Sequence, residues 1–198
     1  REVMRPHFER LNIVINPIIL RTSKESKGGV VSYGKVKHQV VQKCKQDNTS
    51  YVTTLIDYYA LPKDFPAFAK TADSITNIKA ATAAIQKDIG QTNFIANLVA
   101  HEFEGLLFSL PQAFANWFDN DDVVDELTKI REQFLSPEHI NDGSQTAPSK
   151  RILKVCHNYD KVAHGSLISL DIGLDTIQHQ CPVFNQWILQ LEALGTGL

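Results

Sequence analysis

The sequence predicts an α/β chain, a mainly parallel sheet flanked by helices and followed by a mostly helical C-terminal half. Three observations carry that prediction. Two apolar runs, Tyr51-Val52-Thr53-Thr54-Leu55-Ile56 and Phe94-Ile95-Ala96-Asn97-Leu98-Val99, have the continuous hydrophobicity of strands buried on both faces. A helical pattern separates them, which is the grammar of a parallel layer with right-handed crossovers. Beyond His101 the spacing of apolar residues is helical almost throughout.

The elements follow in order. Val3, Met4, Phe8 and Leu11 recur at helical spacing, so a helix is expected over residues 2–11, with Pro6 kinking or restarting it. Residues 13–20 are β-branched but interrupted by Pro17, which predicts an edge or bulged strand. Residues 22–32, with Gly28-Gly29, read as a loop, after which Val36, Val40 and Cys44 mark the buried stripe of a helix. The stretch from Leu61 to Pro66 is stiff and turn-rich. Ile75, Ile78, Ala81 or Thr82, and Ile85 keep helical period over residues 74–89, and Gly90 is a natural C-terminal cap. Further helices are expected near residues 103–109, 112–118, 123–134 and 149–157, from Lys161, and over 182–194. Residues 136–148, rich in Pro, Gly, Asn, Asp and Ser, form the clearest linker. The expected organisation is an α/β core over 1–110 with a helical extension, 111–198, packed on it.

Length and composition are those of a globular chain: 198 residues bury a real core, and no apolar stretch reaches the roughly 18 residues that span a bilayer. No membrane association and a cytoplasmic location are expected. Cys44, Cys156 and Cys181 are odd in number and lack Cys-x-x-Cys spacing, so buried free thiols are expected instead of zinc or redox chemistry. Arg1 is not a translation start, and an N-terminal strand preceding it is expected.

The most informative residues come directly after the second apolar run: His101-Glu102-Phe103-Glu104. Acids at the carboxyl ends of strands are where open α/β sheets build their sites, and Asp57 repeats the pattern after the first run. A zinc-protease reading of His101-Glu102 requires a histidine at position 105, where Gly105 stands. In a helix Glu102 and Glu104 would point about 200° apart, so they face one ion together only if Glu102 stays extended. Asp57, Glu102 and Glu104 together offer the hard oxygen ligands that Mg²⁺ or Mn²⁺ prefers; the bland alternative is that they complement helix dipoles or cap turns. Asp64 reads foremost as a turn residue.

Basic groups supply candidate phosphate contacts. Pro148 opens a helix, and Lys150 and Arg151 fall in its first turn, where positive charge opposes the dipole unless a phosphate binds there with Ser149. Lys161 and His164 extend that surface. Arg21, Lys24, Lys27, Lys35, Lys37, Lys43 and Lys45 form a second basic set suited to a nucleic-acid backbone or to plain solvation. Asp119, Asp121, Asp122, Asp125 and Glu126 open a helix, where acids belong. No phosphate-binding G-x-x-x-x-G-K-[ST] loop and no G-x-S-x-G elbow is present, which argues against an intrinsic ATPase and a typical α/β hydrolase.

Several of these motifs, in order, resemble a bacterial family catalogued as a domain of unknown function with a Toprim-like core. They are residues 51–66, His101-Glu102-Phe103-Glu104-Gly105-Leu106-Leu107-Phe108-Ser109, Ile140-Asn141-Asp142-Gly143, Thr146-Ala147-Pro148-Ser149-Lys150-Arg151-Ile152, Tyr159-Asp160-Lys161, His164-Gly165 and Ile172-Gly173-Leu174-Asp175. The resemblance implies a Toprim-like fold in which acids hold Mg²⁺ for phosphoryl transfer. Asp57 matches the first acid of the Toprim Asp-x-Asp pair, Tyr59 stands at the second, and Glu102 and Glu104 look like replacement carboxylates. The family's first-strand glutamate would lie upstream of Arg1. The resemblance further implies a metal-dependent nuclease acting on DNA or RNA, related to overcoming-lysogenization-defect nucleases and working in phage defence with an ABC-type ATPase. A non-catalytic subunit that binds nucleic acid or such an ATPase, and a phosphotransfer or nucleotide-modifying enzyme using the same acids, are the alternatives.

Overall fold

A computed structural model describes residues 2–20, 32–59, 61–67, 73–140, 143 and 145–195. Residues 21–31, which carry Arg21, Lys24, Lys27, Gly28-Gly29 and all of the loop expected over 22–32 but Ser32, lie outside the described residues, as do Asn141 and Asp142. The mixed α/β class holds: parallel strand pairs flanked by helices, with a mainly helical second half. Contacts divide the chain into two units, Arg1–Asn16 with Ala100–Leu198, and Pro17–Val99.

The first unit begins with α1 (Arg5–Arg10), shorter than the expected 2–11 because Pro6 sits in its first turn, where a missing N–H costs nothing. Residues 13–20 do not form the expected strand. They carry no regular structure, and Val14, Ile18 and Ile19 are exposed. A β-branched run favours extended backbone, but a strand also needs a partner for its ladder, which local sequence does not encode.

The second unit is a small parallel layer. Its first helix, α2 (Tyr33–Gln46), buries Tyr33, Val36, Val40 and Cys44. Asp64 Oδ2 accepts from Tyr33 N at 2.8 Å, so Asp64 satisfies the amino end of α2. The expected strand 51–56 is found as two pieces, β1 (Val52–Thr53) and β2 (Ile56–Asp57). Next, α3 (Ser74–Ile89) starts at Asp73, whose side chain accepts from the amides of Ile75 and Thr76, and stops at Gly90 with φ +62°. That left-handed backbone favours glycine. The second expected strand is likewise split into β3 (Phe94–Ile95) and β4 (Leu98–Val99).

Both pairs are parallel and share one register across the gap: Val52 faces Phe94 and Thr53 faces Ile95, then Ile56 faces Leu98 and Asp57 faces Val99. At the gap Thr54 Oγ1 donates to Asn97 O at 2.7 Å and accepts from Asn97 N at 3.0 Å. A side-chain hydroxyl thus replaces the missing backbone partner and satisfies a buried peptide group. Gln86 of α3 closes another edge in the same way, donating to Phe94 O and accepting from Ala96 N.

From Ala100 the chain belongs again to the first unit. Its central piece is the short α4 (Phe103–Leu107), which buries Glu104, Gly105, Leu106 and Leu107. A 3-10 turn, Pro111–Asn116, replaces the α-helix expected near 112–118. The acid-rich α5 (Asp121–Glu132) is capped by Asn120, whose side chain accepts from Asp122 N. A second 3-10 turn, Pro137–His139, lies inside the linker. After it come α6 (Pro148–Val155), α7 (Ala163–Ile172), α8 (Leu174–Gln180) and α9 (Pro182–Glu192). The α4 helix packs against α6, α7 and the Pro137–His139 turn, while α8 packs on α9. Among the described residues no helix is long and apolar enough to cross a membrane, and Cys44, Cys156 and Cys181 are buried free thiols as expected.

Candidate functional site

In the first unit the site is built around the amino end of α4. His101 adopts φ +61°, a left-handed conformation uncommon for a residue with a Cβ, and it turns the chain into the helix. Glu102 is the N-cap residue with φ −137° and ψ 155°. It is therefore extended, and the geometric condition for Glu102 and Glu104 to serve one site is met. Both are buried, Glu102 at 7% exposure and Glu104 at 0%.

Their oxygens meet different groups. Glu102 Oε2 accepts from Ser149 N at 3.0 Å, so one carboxylate occupies the positive amino end of α6. Glu104 Oε2 lies 3.0 Å from Lys161 Nζ in an ion pair, and Oε1 has no hydrogen-bond partner. Burial raises the Glu104 pKa from its ordinary value of 4.5, Lys161 partly offsets the rise, and the negative charge of Glu102 adds to it. Tyr159, also buried, has its pKa raised by desolvation first and by the charge of Glu104 next, and its hydroxyl has no hydrogen-bond partner. Gly165 makes room for that ring: a Cβ there would stand 2.9 Å from Tyr159 Oη and 3.4 Å from Phe103 Cε1.

The loop entering α7 fixes the backbone around Lys161. Asp160 Oδ1 accepts from Val162 N and Ala163 N, and Asp160 N donates to His164 Nδ1 at 2.8 Å. That bond places the proton of a neutral His164 on Nε2. The His164 ring stacks on Tyr159 and tilts against Phe118, so His164 is first a structural residue of this corner.

The expected phosphate cradle is only partly assembled. Ser149 gives its amide to Glu102, and Lys150 is exposed. Arg151 donates from Nε to Thr146 O at 2.7 Å, with its guanidinium 5.1 Å from the centre of the Phe134 ring. Arg151 and Lys154 form one wall of an open groove of ≈ 400 Å³ whose other wall carries Asp122 and Glu126. In the second unit, Asp57 is the last residue of β2, opposite Val99, and is half-buried. Lys37 pairs with Asp88 at 2.9 Å, and Lys43 donates to Gln46. Among the described residues no group of three or more His, Cys, Asp or Glu is assembled as a metal site.

Sequence reasoning left two residues of this region without a role. Tyr159 faces the carboxylates, and the adjoining His164-Gly165 was the available signal, since a glycine inside a helix marks close packing. Glu138 accepts from Phe184 N and Val183 N at 2.8 Å each, capping α9 from 45 residues away, and no local pattern announces such a partner.

The chain belongs to the family described as Domain of unknown function (DUF4276), which matches residues 1–192. No curated protein and no solved structure matches it.

Proposed function

We propose that the region around Glu102 and Glu104 is the centre of a Toprim-like, divalent-metal-dependent nuclease that hydrolyses phosphodiesters of DNA or RNA. The observation that carries this reading is Glu104: fully buried, beside a second carboxylate, with one oxygen lacking any hydrogen-bond partner. A buried carboxylate is costly unless positive charge meets it. Mg²⁺ and Mn²⁺ need no all-protein cage, because Mg²⁺ usually keeps several waters and takes one or two carboxylates. Glu104 through Oε1, with Glu102, would hold the ion; Asp57 enters through its sequence pattern alone. When bound, the ion supplies an activated water and neutralises charge developing on the phosphate. Lys161, 54% exposed at its side chain, would attract a phosphate to the same corner. Lys150 and the Ser149 hydroxyl add weaker contacts, and Arg151 and His164 mainly hold their own loops. An ABC-type ATPase partner and a role in phage defence rest on the resemblance.

The test is cleavage of labelled DNA and RNA by the purified chain with Mn²⁺. Cleavage should depend on the metal and fall about 100-fold or more in Glu104→Gln and Glu102→Gln, with unchanged circular dichroism; loss of one group acting on the transition state has about that size. Equal cleavage by Glu104→Gln overturns the reading. Asp57→Asn in the same assay measures the share of Asp57.

One observation favours a second reading, a non-catalytic nucleic-acid- or ATPase-binding subunit: protein groups already meet one oxygen of each carboxylate, Ser149 N on Glu102 and Lys161 on Glu104. Tyr59 at the second Toprim position agrees with it. Absence of Mn²⁺ binding together with salt-sensitive nucleic-acid binding would favour this second reading.

A further inference from the structure

We infer that the groove between α5 and α6 binds one guanine nucleotide of a single strand, with its base edge on Asp122 and its phosphate on Lys154. The choice of a nucleotide rests on the nuclease reading, whereas the pairing of groups rests on the groove itself. Its volume of ≈ 400 Å³ falls in the range of small-ligand sites. Asp122 and Glu126 stand on the α5 wall, Arg151 and Lys154 on the α6 wall, and Val123 and Val155 add apolar surface to the lining. All six belong to one unit. The two walls do not neutralise each other. Among the described residues no ion pair joins Asp122 or Glu126 to Arg151 or Lys154, and Glu126 pairs with Lys129 of its own helix at 2.8 Å. Lys129 also feels the charge of Asp122 from farther away. Arg151 Nε donates to Thr146 O, so Lys154 and Asp122, both exposed, are the cation and the acid that a ligand meets.

A ligand that uses both walls carries an anion at one end and hydrogen-bond donors at the other. An ionised carboxylate only accepts, through two oxygens. Guanine presents two adjacent donors on its Watson–Crick edge, N1–H and the N2 amine, and so meets both oxygens of one carboxylate. Cytosine and adenine place an acceptor beside their amine, and uracil and thymine flank their single donor with carbonyls. An unstacked base offers this edge only in a single strand. The flat ring lies against Val123 and Val155, and the phosphate, repelled by the acids of α5, goes to Lys154. Helix α6 links the groove to the carboxylate corner: Lys154 lies roughly 7 Å along the helix axis from Ser149, whose amide meets Glu102. A strand held in the groove by one guanine presents a neighbouring phosphodiester to that corner.

The test is NMR titration of the full chain, without metal, with GMP, IMP, UMP and guanosine. GMP should shift the amides of Val123 and Val155 and bind about fivefold or more tightly than UMP or than IMP, which lacks the N2 amine. Asp122→Asn should bring GMP to the affinity of UMP. Lys154→Gln should weaken GMP about two- to fivefold and leave guanosine unaffected. Both side chains are exposed, so the same spectra verify that the variants remain folded. Equal binding of GMP, IMP and UMP overturns the proposal, as does binding of none of them or GMP shifts outside the groove. Tighter binding of the dipeptide lysyl-aspartate than of GMP overturns it in favour of a peptide site. None of these results touches the nuclease reading, which stands or falls on Mn²⁺-dependent cleavage. GMP binding in the groove of a chain that cleaves no nucleic acid supports the site and overturns the nuclease reading.

Discussion

Glu138 is 3% exposed and accepts two backbone amides at the start of α9, a charge-assisted arrangement in which both oxygens are used. Replacing Glu138 with Ala leaves the buried amides of Val183 and Phe184 without these acceptors and should cost about 3 kcal/mol in urea unfolding. Glu104 behaves in the opposite sense. Its pKa is raised in the folded state above 4.5, so the folded protein holds more protons than the unfolded chain above that pH. The stability this gives is fully present below 4.5 and is lost as pH rises through the folded pKa. Glu104→Gln should therefore gain on the native protein in stability between pH 4.5 and 7.5, measured as urea midpoints along that range; parallel pH profiles would mean that Glu104 titrates normally. At this scale the sequence displayed Glu102 and Glu104, because an acid after an apolar run is visible without knowing any partner. It concealed Glu138, whose purpose exists only after residues 45 and 46 positions away are brought to it.

Among the elements, α3 was legible almost to the residue, since Gly90 marks its carboxyl end and Ile78 and Ile85 fall on its buried face. Residues 13–20 and the two split strands were not, because a ladder is a property of two segments and hydropathy describes one. The packing of α7 was hidden for a similar reason. Gly165 to Ala in an ordinary helix gains about 0.5–1 kcal/mol, but here the new Cβ meets Tyr159 Oη at 2.9 Å in a buried corner. The clash should win, and Gly165→Ala should lose about 1–3 kcal/mol. Adding Tyr159→Phe removes the offending oxygen, so the double variant should recover about 1 kcal/mol or more relative to the sum of the singles in a double-mutant cycle. Additive losses would place the cost elsewhere.

For the whole molecule, the chain's division into Arg1–Asn16 with Ala100–Leu198 and Pro17–Val99 can be read chemically through its thiols. Cys44 reports on the second unit, Cys156 and Cys181 on the first. Burial pushes all three thiols up, Cys156 to about 11 and Cys181 to about 12, so none should react with a thiol reagent at pH 7.5 while folded. In rising urea Cys44 should be labelled first, because the second unit is the shorter and its sheet consists of two-residue strand pieces. Simultaneous labelling of all three, read by mass spectrometry, would mean one cooperative transition. Composition anticipated buried thiols, whereas the return of the first sixteen residues to the unit containing residues after Val99 is a long-range fact that no local pattern holds.

The hydroxyl of Thr54 carries a consequence for how this chain tolerates change over time. Between Val52 and Asp57 the apolar pattern would accept valine at position 54 as an equal in size and shape, yet valine can neither donate to Asn97 O nor accept from Asn97 N. Serine keeps the oxygen and loses only a methyl group. Replacement at this position is thereby best met by hydroxyl-bearing side chains, and a run that reads as a buried strand contains a residue whose polarity the fold uses.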